Sequence, residues 1–259
     1  MVLVHEIVHA LQDQHHRLQP MIDRLRENDA QNAFKAVIEG DATLAMVRFV
    51  GLTAGIDPLE LPGGAERIRD NVMSSGVGSS PALARAPRIV REVLVSQYGD
   101  GLVFTHAVER ARGREAIDTL FVTPPPSSEQ VLHPERWLAS DAPSTVALPD
   151  VTPPPGTSLV HEDTIGELEL RIWLTLANDD PSAARAAEGW DGDRVRVWAS
   201  PDGTRDAFLW VTTWDTDADA TEMETAARAV ASTLRAQVTR RGHDVVIARG
   251  VTSPSTPRP

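Results

Sequence analysis

His5-Glu6-Ile7-Val8-His9 places two imidazoles four residues apart, with a carboxylate directly after the first. On a helix, residues i and i+4 lie about 40° apart and one turn along, so both rings can reach one metal ion. Glu6 then sits about 100° around from His5, beside the ion and not on it. There it can act as general base toward a water whose pKa zinc lowers to about 7. The pattern reads as a Zn2+ site with His5 and His9 as ligands and Glu6 as the catalytic base, acting on a peptide or protein substrate. Two His and a carboxylate also suit manganese or cobalt, so the residues alone do not select zinc.

A catalytic zinc needs a third protein ligand. His15 follows His9 by six residues, the spacing of the H-E-x-x-H-x-x-G-x-x-H pattern, but the turn glycine of that pattern is replaced by Gln12. On an unbroken helix His15 points about 120° away from His9 and lies roughly 9 Å along the axis; His16 is farther still. The favoured ligand is Glu39, in Val37-Ile38-Glu39-Gly40-Asp41-Ala42. A glycine inside a helix costs about 1 kcal/mol relative to alanine, so Gly40 beside Ala42 points to close approach of a second helix. Asp41 could orient a ligand histidine from behind. His15 and Asp41 stay open as alternatives to Glu39. A group to stabilise the oxyanion is also required, and Tyr98 and His133 are the candidates.

These residues need helices to carry them. Residues 2–16 read as a helix with Leu3, Val4, Ile7, Ala10 and Leu11 on one side, as a face to anchor it, and His5, His9 and Gln12 on another. A second helix is expected from Asn28 or Asp29 to Val50, stopped by Gly51. Residues 54–87 read as loop with a short helix at 65–73, and residues 88–98 and 101–120 as two further helices. Pro124-Pro125-Pro126 is a stop, and residues 128–138 a short helix interrupted by Pro134.

Residues 141–157 hold five prolines and little pattern, and read as a linker. Beyond it, Thr164 and Glu167 form a capping box for a helix to about Ala177. Alternation at 193–199 and again at 206–214, around Pro201-Asp202-Gly203, predicts an antiparallel hairpin. A helix over 217–240 and a strand over 244–248 complete this part, with a disordered tail from 251 to 259. Trp190, Trp198, Trp210 and Trp214 read as core or cross-strand packing, and Gly189-Trp190-Asp191-Gly192-Asp193 as a turn and not a calcium loop. The expected fold is α+β: a mainly helical zincin-like metallopeptidase domain at 1–140, then a smaller α+β domain at 158–250 containing the hairpin.

A net charge of −12 without a basic cluster argues against nucleic acid as a partner. The absence of cysteine removes disulfides, thiolate zinc sites and Cys nucleophiles. No apolar run reaches the roughly 18 residues of a transmembrane helix, and no signal peptide is present. Oligomeric state is not legible. With the metal motif starting at residue 5, the helical domain is expected to lack its N-terminal part.

His5-Glu6-Ile7-Val8-His9-Ala10-Leu11-Gln12-Asp13-Gln14 followed by Ile38-Glu39-Gly40-Asp41-Ala42 resembles a little-studied family of gluzincin-like proteins from actinobacteria and haloarchaea. Pro125 to Glu135, Gly189 to Arg194 and Trp214 to Ala220 are similar to further signatures of that family. The resemblance implies a zinc site completed by Glu39 and a secreted or cell-surface location. Members carry a substantial region before the motif, where gluzincins hold the substrate strand, so the resemblance also implies an alternative: a catalytically inactive zinc-binding or interaction protein.

Overall fold

A computed structural model describes residues 2–76 and 80–252. The chain divides into two compact units, Met1–Ala142 and Pro143–Pro259, and together they make an α+β protein. Among the described residues, no helix is long and apolar enough to cross a membrane.

The N-terminal unit is helical throughout: α1 Val2–His16, α2 Leu18–Arg24, α3 Asn28–Ala54, a 3-10 turn Pro58–Glu60, α4 Gly64–Gly76, α5 Pro81–Arg85, α6 Arg88–Arg112, α7 Glu115–Leu120, α8 Ser128–Leu132 and α9 Pro134–Ala139. Phe34, Val37 and Leu44 of α3 meet Leu102, Phe104 and Val108 of α6 in its core. The helices cross closely at two glycines. A Cβ on Gly40 would lie 2.2 Å from the Gly101 carbonyl oxygen, and one on Gly101 2.2 Å from that of Ala36. Backbone meets backbone there, which only hydrogen at Cα permits.

Several expected boundaries move for the same reason. α3 does not stop at Gly51 but continues to Ala54, ending on Gly55 in the left-handed region (φ 71°). Gly51 instead admits the returning chain, since its Cβ would fall 2.3 Å from the Ile56 carbonyl oxygen. The two helices expected at 88–98 and 101–120 are one helix through Gly99 and Gly101, broken only at Gly113. In both places the glycines serve packing, not termination. The short helix expected at 65–73 is α4, Gly64–Gly76, and the rest of the stretch read as loop at 54–87 also holds the 3-10 turn and α5.

The largest correction concerns α1. Its apolar side does not anchor it: Leu3 is 71% exposed, Ile7 50% and Leu11 48%, while His5 and Gln12 are buried. The polar side faces α3.

The C-terminal unit holds β1 Ser158–Asp163, α10 Gly166–Leu174, α11 Asp180–Ala187, β2 Trp190–Ala199, β3 Asp206–Trp214, α12 Asp217–Leu234, β4 Gln237–Arg241 and β5 Asp244–Arg249. The sheet is antiparallel, in the order β1-β2-β3-β5-β4. Along β3, Trp210 and Trp214 face the helices, with Leu170, Met223 and Val230, while Ala207, Leu209 and Val211 face the other way. Period-2 alternation thus divides the sheet between two cores. The tryptophans pack as expected, with Trp190 opposite Trp214 across the β2–β3 pair.

The second face of the sheet is covered by the proline-rich stretch read as a linker: Val146, Leu148 and Val151 pack on Trp198, Leu209 and Val211. Ser144 binds Asp191, and Thr152 pairs with Thr252. Part of the expected disordered tail, Val251 and Thr252, is therefore placed; residues 253–259 lie outside the described residues. β1 has no counterpart in the sequence reading.

The helix expected to run to residue 240 ends at Leu234, turns at Arg235 (φ 54°), and gives Val238 to β4. α10 opens beside the Thr164–Glu167 pair and is also held from the sheet. The helix starts at Gly166, and Asp193 of β2 accepts from the backbone N–H of Ile165 (2.8 Å) and Gly166 (2.9 Å).

Candidate metal centre

α1 carries His5 and His9 one turn apart, α3 carries Glu39, and α6 carries Tyr98. Nε2 of His5 lies 3.0 Å from Oε2 of Glu39, Nε2 of His9 lies 3.2 Å from the same oxygen, and the two Nε2 atoms are 2.9 Å apart. Among the described residues, these three side chains form the group whose ligand atoms converge closely enough to hold a metal ion. The edges of that triangle approach the roughly 3.3 Å edge of a tetrahedron with bonds of about 2.0 Å. Two imidazole nitrogens and one carboxylate oxygen are also a donor set that zinc accepts.

The hydrogen bonding behind His9 strengthens this fit. The Gln12 amide nitrogen donates to the Ile38 carbonyl (3.1 Å) and to Oδ2 of Asp41 (2.9 Å). Both partners are acceptors, so the amide cannot be flipped, and its Oε1 must face Nδ1 of His9 at 2.9 Å. Nδ1 of a neutral His9 therefore carries the proton, and its Nε2 turns a lone pair toward Glu39 and His5. With both rings neutral, His5 can donate to only one neighbour. His9 Nε2 and the Glu39 carboxylate then remain two acceptors facing each other, an arrangement that a cation relieves.

Asp41 is buried at the far end of this relay. Desolvation raises its pKa, against the lowering effect of the Gln12 bond. It thus fixes His9 through Gln12 and does not join the converging group. His5 is held differently: its ring stacks on Tyr98 with centroids 5.7 Å apart and planes 19° from parallel, and its Nδ1 is buried without a hydrogen-bond partner.

Tyr98 is half-buried. Burial, then the charge of Glu39 and a hydrogen bond to it, then the charge of Glu6, push its phenol up to about 12. It is therefore a neutral donor at the edge of the cluster. Glu6 is exposed on the next position of α1.

The remaining candidates lie elsewhere. His15 is exposed, and His16 stacks on Phe121 at 4.6 Å. His133 sits at the α8–α9 junction with Nδ1 3.9 Å from Glu135. None of the three belongs to the converging group.

Gln12 was missed as a site residue, although it falls on the same side of the helical wheel as His5 and His9. A polar residue on the ligand side of the helix was the available signal.

Comparison with known proteins separates the two units. A family model described as a domain of unknown function (DUF8575) matches residues 157–256. That match lies wholly in the C-terminal unit, outside the unit that carries the cluster. No curated protein and no solved structure matches the chain.

Proposed function

We propose that the N-terminal unit is a zinc-dependent, gluzincin-like hydrolase of peptide bonds. One observation carries this reading: the ligand atoms of His5, His9 and Glu39 converge to within 3.2 Å, with Glu6 directly after the first histidine. His5, His9 and Glu39 would hold the metal, which supplies Lewis-acid activation of water and polarisation of a carbonyl.

The chain's own residues supply the rest. Gln12, backed by Asp41, holds His9 in the tautomer that frees Nε2. Glu6, exposed beside the cluster, takes a proton from the attacking water and returns it to the leaving amine. Tyr98, held neutral, donates a hydrogen bond to oxyanion charge developing on the substrate carbonyl.

A second reading, a metal-holding interaction module without catalysis, draws support from the outward apolar face of α1 at Leu3, Ile7 and Leu11.

Elemental analysis of purified wild type beside His9→Ala and Glu39→Gln tests the metal. Near-stoichiometric zinc in wild type and loss in both variants is the expected result. Zinc retained in Glu39→Gln removes the proposed ligand set, and no zinc in wild type ends the reading. A screen of peptide libraries with wild type and Glu6→Gln then separates the two functions. Cleavage by wild type alone supports the hydrolase, and no cleavage by a zinc-loaded wild type favours the interaction module.

A further inference from the structure

Tyr98 has two sides. One meets His5 and Glu39; the other is part of the wall of a cavity of about 670 Å³ formed by α4, α5 and α6. The wall includes Val72 of α4, Leu83 of α5, and Leu94 and Val95 of α6. Among the described residues that line it, Ser75 and Ser80 are the polar ones besides Tyr98, and none is charged. The volume lies within the roughly 300–1,000 Å³ of small-molecule and cofactor sites. A charged group entering such a wall would lose hydration with nothing to replace it, whereas an apolar group gains about 25 cal/mol per Å² buried.

The cavity is thus mainly apolar, and Tyr98, which lines it, also contacts His5 and Glu39 of the candidate cluster. We propose that it receives bulky, uncharged apolar side chains of a peptide substrate, next to the bond presented to the metal centre. This selects leucine- or phenylalanine-rich peptides over acidic ones. The proposal rests on the hydrolase reading for what happens at the bond, but binding in the cavity can be measured without turnover.

Tyr98 is the chain's only tyrosine, so ring-13C-tyrosine labelling gives signals from one residue, at the wall in question. Full-length protein, metal-free and zinc-loaded, is titrated with N-acetyl-Leu-Leu-amide, N-acetyl-Glu-Glu-amide and N-butyl-octanamide. The expected result is a saturable shift with the leucine peptide, none with the glutamate peptide, and weaker binding of the octanamide. Leu83→Asp and Ala82→Trp, at half-buried and exposed positions of α5, should weaken the leucine peptide at least tenfold while zinc content stays at the wild-type level. No saturable shift in a zinc-loaded wild type, or equal binding in both variants, overturns the cavity and leaves the metal centre standing. Tighter binding of the octanamide overturns the peptide assignment. Leucine-peptide binding by a wild type that takes up no zinc supports the cavity and removes the hydrolase.

Discussion

Asp41 in the N-terminal unit and Asp193 in the C-terminal unit are both buried carboxylates pushed above their ordinary range by desolvation. Their surroundings assign them different work. Asp193 accepts from the backbone N–H of Ile165 and Gly166 and from the indole N–H of Trp190 at 3.1 Å, with the Trp210 indole also acting on it, and closes the start of α10. Its partners are all donors. Asp41 is one end of a chain through Gln12 to His9, and the chain ends on a nitrogen lone pair shared with two more ligand atoms. A buried acid whose partners are all donors stabilises structure; a relay that terminates on converging acceptors is an arrangement that a cation would relieve.

The largest effect should come from the crossing that brings Glu39 and Tyr98 together. Gly40→Ala forces a Cβ onto the Gly101 carbonyl and should destabilise the N-terminal unit by about 3 kcal/mol or more. Urea unfolding followed by circular dichroism reads this, and zinc uptake should fall with it. A loss under about 1 kcal/mol would mean that the crossing is looser than its glycines indicate.

Asp193 sharpens the comparison from the other side. Asn in its place matches fewer of these donors and should cost about 2 kcal/mol, with zinc content unchanged. The sign with pH is specific. The folded pKa of about 6 lies above the reference 3.8, so between these values the native state holds a proton that the unfolded state has released. This group's contribution therefore declines as pH rises from about 4 to about 6, then stays level. Asn does not titrate, so the wild-type minus Asp193→Asn stability difference isolates the trend. A difference that grows with pH would show that the donors outweigh desolvation.

Gln12→Leu probes the relay. It removes the acceptor for His9 Nδ1 and leaves Asp41 without the Gln12 bond. Zinc affinity, measured by competition with a chromophoric chelator, should fall about 10- to 100-fold. A purely structural role would lower the stability of the metal-free protein and leave affinity unchanged.

Much of this centre was legible from residue type and spacing. The convergence of His5 and His9 follows from one helical turn, and Glu39 was favoured because Gly40 implied a close helix. Gly40 meets α6, however, and its partner Gly101 lay in a segment read as the start of a new helix. A glycine that ends a helix and one that admits a neighbour look alike in sequence; only tertiary packing separates them. Asp193 illustrates the same limit in the second unit. The local Thr164–Glu167 pattern was visible, but the carboxylate at the helix start comes from a strand nearly thirty residues away, a separation no local pattern reaches. β1 was missed for a related reason. Leu159 and Val160 are exposed, so the strand lacks clean period-2 burial and is set by pairing with β2.

Leu11 and Gln12 bring the two kinds of reading into adjacent positions. Periodicity assigns Leu11 to a buried face and gives Gln12 no structural duty, yet Gln12 is 5% exposed and Leu11 48%. Leu11→Gln should therefore change stability by no more than about 0.5 kcal/mol, the ordinary range for a surface position, and leave zinc affinity intact. Thermal unfolding of the variant beside Gln12→Leu measures the contrast directly. A loss above about 1.5 kcal/mol for Leu11→Gln would mean that the apolar side of α1 is covered in solution. The concentration dependence of that loss would then separate self-association, which it reports, from packing within one chain, which it does not.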